Sequence, residues 1–147
     1  MARAYSAQRS LVGQLQQLSL LDDTLCVLAD QETLVPIGDT LNALPNLKAQ
    51  QQGVTFDYLR GAIALKLDRV DEAEQHFRAG IEWASGPTVC FEVDTGRNLQ
   101  GLAEVAERRG NHALAMQHLD AAGELFARQG AKLYLDQVLA KKEILRA

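Results

Sequence analysis

The sequence predicts an all-α protein of antiparallel helix pairs joined by turns of two to four residues. Three observations carry this. Apolar residues recur three and four positions apart over long stretches, the period of a helix and not of a strand. Only 3 prolines interrupt 147 residues, which leaves room for long helices. The octet AEQHFRAG at residues 73–80 returns 42 positions on as AMQHLDAA at residues 115–122, so one structural unit is used twice. A chain of this length fits one domain and can hide roughly 70% of its unfolded surface. Its 47% hydrophobic content excludes a disordered class.

The first 50 residues hold eight charged residues, against 26 in the remaining 97. Leu11, Leu15, Leu18, Leu21, Leu25 and Leu28 recur every three or four positions, so two or three helices are expected. Breaks fall near LDD (Leu21 to Asp23) and ADQE (Ala29 to Glu32), and Leu44 and Pro45 end the segment. Pro36 belongs in a first turn or at a kink. Next, Leu59, Ile63, Lys66 and Val70 are spaced for one helix face. DRVD at residues 68–71 turns the chain into a second face of Ala73, Phe77, Gly80, Ile81 and Ala84. SGPT closes that helix with Gly86 and opens the next with Pro87. Leu99, Leu102, Ala103 and Ala106 follow, ending at Gly110, with Asn111 to cap the next helix. Leu114, Leu119, Ala122, Leu125 and Phe126 form its apolar face, and Gly130 ends it. The last helix carries Leu135, Val138, Leu139 and Leu145.

The two copies agree beyond the octet. At the same offset Gly61 pairs with Ala103, Ala64 with Ala106, Ala73 with Ala115, Phe77 with Leu119 and Gly80 with Ala122. Small residues at 61 and 73 let two helices cross closely, and the bulky residue at 77 fills the groove beside them. In these residues the chain resembles the tetratricopeptide repeat family. Gly61, Ala73, Phe77 and Gly80 match its pattern within residues 54–86. Ala103, Ala115, Leu119 and Ala122 match within residues 87–129, together with Leu99, Leu102 and Gly110. Arg60 and Asp57 depart from it, standing where a leucine and an aromatic residue are usual. The resemblance covers residues 54–126. It implies a right-handed solenoid of stacked helix pairs, a capping helix over residues 131–147, and a diverged helical part over residues 1–50. The family's period is 34 residues; the eight extra ones amount to about two helical turns. Long helices of this kind are similar to those in the C-terminal repeat regions of bacterial adenylate and guanylate cyclases and of large transcriptional regulators. The likeness implies the repeat region of a larger signalling protein.

By the same resemblance, Thr55, Tyr58, Ala62 and Lys66, and then Arg97, Gln100, Glu104 and Arg108, face a concave groove. One reading is a peptide groove of mixed charge, with Tyr58 for apolar contact and Lys66, Arg97 and Arg108 to grip a carboxylate. The other is a solvated helix face. The family's two-carboxylate clamp is not matched, because Tyr58 and Ala62 stand at its positions. His76 and His118 repeat but sit on separate helices, and neither they nor His112 have tetrahedral ligand spacing. Trp83 reads as packing between repeats. Asp71 with Glu72 suits a helix start. Phosphate loops, nucleophile motifs and zinc patterns are absent, so a non-enzymatic module without a cofactor or metal is expected.

Net charge of −4 argues against nucleic acid as a partner. The lack of an apolar leader and of a ~20-residue apolar run predicts a cytoplasmic protein with no membrane span, and Cys26 and Cys90 read as free thiols there. The expected partner is a protein or peptide, with residues 1–50 packing on a neighbouring domain or a second copy. The alternative is a small-molecule sensor. A compact aromatic-lined pocket would favour the sensor, and an open mixed-charge groove would favour the peptide.

Overall fold

The computed structural model describes residues 30–43, 57–86 and 91–147. Among them lie six helices and no strand: α1 (Gln31–Ala43), α2 (Asp57–Lys66), α3 (Val70–Ala84), α4 (Glu92–Arg108), α5 (His112–Gln129) and α6 (Lys132–Arg146). Each helix from α2 to α6 packs on the next, α1 packs on α2, and α2 also lies against α4. The leucine-rich residues 11–28, both cysteines, Thr55 and Pro87 lie outside the described residues.

The turns obey one local rule. After α2, the Arg69 N–H reaches the Ala64 carbonyl at 2.8 Å and the Asp68 N–H reaches that of Leu65 at 3.0 Å. After α4, the Asn111 N–H reaches Ala106 at 2.8 Å and Gly110 reaches Glu107 at 2.9 Å. The α5 end repeats this closure, with Ala131 on Phe126 at 2.9 Å and Gly130 on Ala127 at 3.2 Å. The nested pair needs one left-handed residue. Gly110 supplies it at φ 73°, Gly130 at 66° and Asp68 at 60°. Asn111 also caps α5, its Oδ1 accepting the Leu114 N–H at 3.1 Å. Asp30 caps α1 in the same way through Thr33, at 2.8 Å. Pro36 stands inside α1, beyond its first turn.

Among the described residues, two apolar clusters account for much of the core, beside the buried Leu34, Leu41, Leu59 and Ile63 of α1 and α2. Ala64, Leu65, Ala73, Phe77, Leu102 and Val105 join α2, α3 and α4. Ala103, Ala106, Ala115, Leu119, Ala122, Phe126 and Val138 join α4, α5 and α6. Helix α4 therefore feeds both, with Leu102 and Val105 on one side and Ala103 and Ala106 on the other. All eight residues named for close crossing, Gly61, Ala73, Phe77, Gly80, Ala103, Ala115, Leu119 and Ala122, are buried. The Phe77 ring is held from two sides: a Cβ built on either Gly61 or Gly101 would fall 2.6 Å from its Cδ1. A Cβ on Gly96 would fall 2.6 Å from Phe126. Glycine is required at these points because the partner is an aromatic ring with no room to retreat.

Three expectations need correction. Lys66 does not share the buried face of Leu59 and Ile63; it is exposed, and Val70 already belongs to α3. Leu139 was expected on the buried face of α6 but is 50% exposed. Val138 is the one fully buried residue of α6, and Tyr134, Leu135 and Leu145 pack partly buried against the same cluster. Trp83 packs as expected near the junction of the copies, stacked on Phe91 at 5.6 Å between ring centres, and the Phe91 N–H meets the Ala84 carbonyl at 3.0 Å.

Candidate functional site

Helices α2, α4 and α6 all contribute to the lining of one open concavity of about 520 Å³. Tyr58, Ala62, Leu65 and Lys66 come from α2, Gln100, Gly101, Ala103, Glu104 and Arg108 from α4, and Gln137 and Lys141 from α6. Phe77 and Leu119, from the helices behind, close its floor. Tight closures follow α2, α4 and α5, so the helices on either side of each are joined by only a few residues. Side chains one turn apart on a helix line a single face of it.

The concavity gathers most of the residues the sequence placed on a groove: Tyr58, Ala62, Lys66, Gln100, Glu104 and Arg108. Thr55 lies outside the described residues. Arg97 is placed differently. Its guanidinium carbon stands 4.1 Å from the Tyr58 ring centre and 5.1 Å from that of Tyr134, and the residue is only 8% exposed. It is thus a buried tie between helices and not a solvent-facing cation. The sequence pattern put it on the correct face of α4, one turn before Gln100. The two rings that cover it come from α2 and α6, and no spacing within α4 announces them.

Three cations and one carboxylate line the concavity: Lys66, Arg108 and Lys141 against Glu104. Arg108 lies 3.5 Å from Glu104 and 3.2 Å from Asp68. Lys141 lies 2.6 Å from Glu107 of α4. Asp68 and Glu107 thus partner two of the three cations from outside the lining, and the lining itself carries more cations than carboxylates. Gln100 and Gln137 add neutral donors and acceptors. Gln137 and Lys141 were not foreseen as groove residues, because the last helix was expected only as a cap.

The repeated histidines lie elsewhere. His76 stands 3.7 Å from Glu72 of its own helix. Burial, helped by the nearby Arg60, lowers its pKa below the usual imidazole value despite Glu72 and Asp57. Burial and Arg78 do the same to His118, against Glu74. Among the described residues no cluster of three His, Cys, Asp or Glu is placed to hold a metal ion. No described helix is long and apolar enough to cross a membrane. No family model, no curated protein and no solved structure matches this chain.

Proposed function

We propose that the chain is a non-enzymatic binding module, a solenoid of long helix pairs resembling the tetratricopeptide repeat, that holds an extended acidic peptide segment in the α2–α4–α6 concavity. The observation that carries this reading is the lining itself. Three cations, two glutamines and the Tyr58 ring are brought to one open face by three separate helices, over an apolar floor. An open trough of mixed polarity suits a chain lying along it. A metabolite sensor would need its ligand mostly enclosed. The cations of the lining favour carboxylates on the ligand, and Tyr58 favours an apolar side chain beside them.

Lys66→Glu combined with Arg108→Glu tests the site. Fluorescence anisotropy with labelled Glu- and Leu-rich 12-residue peptides is expected to show about tenfold or greater weakening, the scale of two reversed ion pairs. The melting transition is expected to move little, because both partners of the Arg108 bridges are a third exposed or more, and such pairs are worth under about 1 kcal/mol. Unchanged affinity in the double variant places the ligand on another face.

A further inference from the structure

Arg97 occupies a position that neither the groove reading nor the repeat pattern accounts for. It is buried, yet it stands on the helix between the two flanks of the concavity, one turn before Gln100. Its guanidinium lies between one ring from each flank, Tyr58 of α2 and Tyr134 of α6, at 4.1 and 5.1 Å. A guanidinium is planar, delocalised and weakly hydrated, so it can present a face to an aromatic ring on each side, which a compact ammonium does not. The attraction between cation and ring grows when water is excluded, as it is here.

We propose that Arg97 is a pin that sets the width of the concavity, by holding the α2 flank and the α6 flank at a fixed spacing across α4. Four observations converge on this. Tyr58 belongs to both structures at once, since it lines the concavity and stacks on Arg97. Tyr134 is anchored in turn by Phe126, whose ring centre is 5.3 Å away, so the stack reaches the core behind α4. Helix α6 is otherwise seated by Val138, its one fully buried side chain, by the partly buried Leu135 and Leu145 against the same core, and by ion pairs from Lys141 to Glu107 and from Lys142 to Asp120. Its Leu133 and Ile144 are both 67% exposed. Those contacts seat α6 on α5 and α4, while the Arg97 stack is what joins it to the far flank, α2. Gln137 and Lys141 ride on α6, so the pin also fixes where those groups stand relative to Lys66.

Arg97 is then a positioning residue. It selects ligands by fixing the gap they must fill, without touching them. That last consequence rests on the peptide-groove reading, whereas the width itself does not. Spin labels on Lys66→Cys and Gln137→Cys, in a chain with Cys26 and Cys90 replaced by serine, measure the gap by pulsed dipolar spectroscopy without any peptide. A single narrow distance peak is expected. Arg97→Met, which keeps the length and loses the cation, is expected to lose the narrow peak for a broad, shifted one; Arg97→Lys is expected to restore part of it. An Arg97→Met distribution that overlays the parent overturns the proposal. Equal broadening in the Met and Lys variants overturns it as well, because the cation would then not be what holds the rings. If circular dichroism shows that Arg97→Met does not fold, Tyr134→Leu removes the α6 half of the stack alone. Broadening there supports the pin, and an unchanged peak sinks it. Because no ligand is present, failure of the groove to bind peptide leaves this result standing.

Discussion

At the residue scale the packing turns on glycines set against rings. Phe77 is gripped by Gly61 of its own hairpin and Gly101 of the next, so it is at once the wedge of one pair and the contact between pairs. Gly101→Ala is therefore expected to cost about 1–3 kcal/mol through overpacking, even though alanine is the better helix former. Gly123→Ala is the control. Its Cβ would sit 3.5 Å from a Val138 methyl, an ordinary contact, and the gain in helix propensity is expected to raise stability by about 0.5–1 kcal/mol. Urea titrations of both variants check the opposite signs; a loss in both would mean that helix α5 has no slack beside Val138. The Gly61–Phe77 half of this grip was legible, because both residues lie in one copy and share its period. The Gly101 half was not. It is a contact between copies, and the 42-residue offset says which residues are equivalent, not which ones meet. Arg97 was misread for a related reason. Its helix face was right, but its burial depends on tyrosines 39 residues before and 37 after it.

At the element scale the helix ends were the most legible part, since Gly, Asn and Asp act locally. Gly110 and Gly130 close their helices with positive φ, and Asn111 caps α5. DRVD at residues 68–71 stands 42 positions before GNHA at residues 110–113, and the structure gives both the same hydrogen-bonded closure, with Asp68 in the place of Gly110. An aspartate tolerates this conformation less well than a glycine. Gly110→Ala is expected to destabilise by about 1 kcal/mol, while Asp68→Gly is expected to be neutral or mildly stabilising, its bridge to Arg108 being largely exposed. Thermal melts rank the two; equal losses would count against a shared turn. Helix α6 was legible as a helix but not in its facing. Leu139 fits the apolar period yet points outward, because a helix packed on one neighbour buries only a narrow stripe.

At the scale of the whole molecule the titrating groups set how stability follows pH. His76 and His118 have folded pKa values below the ordinary 6.5, chiefly because burial disfavours their charged form. The unfolded chain therefore takes up protons that the folded chain refuses. Stability present above pH 6.5 is lost as pH falls from there through the lower folded values. Glu74 adds a second loss below about 4.5, as the carboxylate bonded by Arg109 and Arg78 is protonated. The melting temperature is expected to fall between pH 7.5 and 5.5, and His76→Gln with His118→Gln to flatten that fall; parallel curves would clear the histidines. The chain-neighbour packing of these helices carries a kinetic consequence as well. Partners from α2 to α3, α4 to α5 and α5 to α6 are joined by only a few residues, so little chain entropy must be spent to bring them together. Such low contact order belongs to proteins that reach their native state in roughly microseconds to milliseconds. Nucleation in the α4–α5 hairpin, the longest pair and a contributor to both clusters, would leave α6, which buries fully only Val138, to dock on a hairpin already formed and to be the first to peel away.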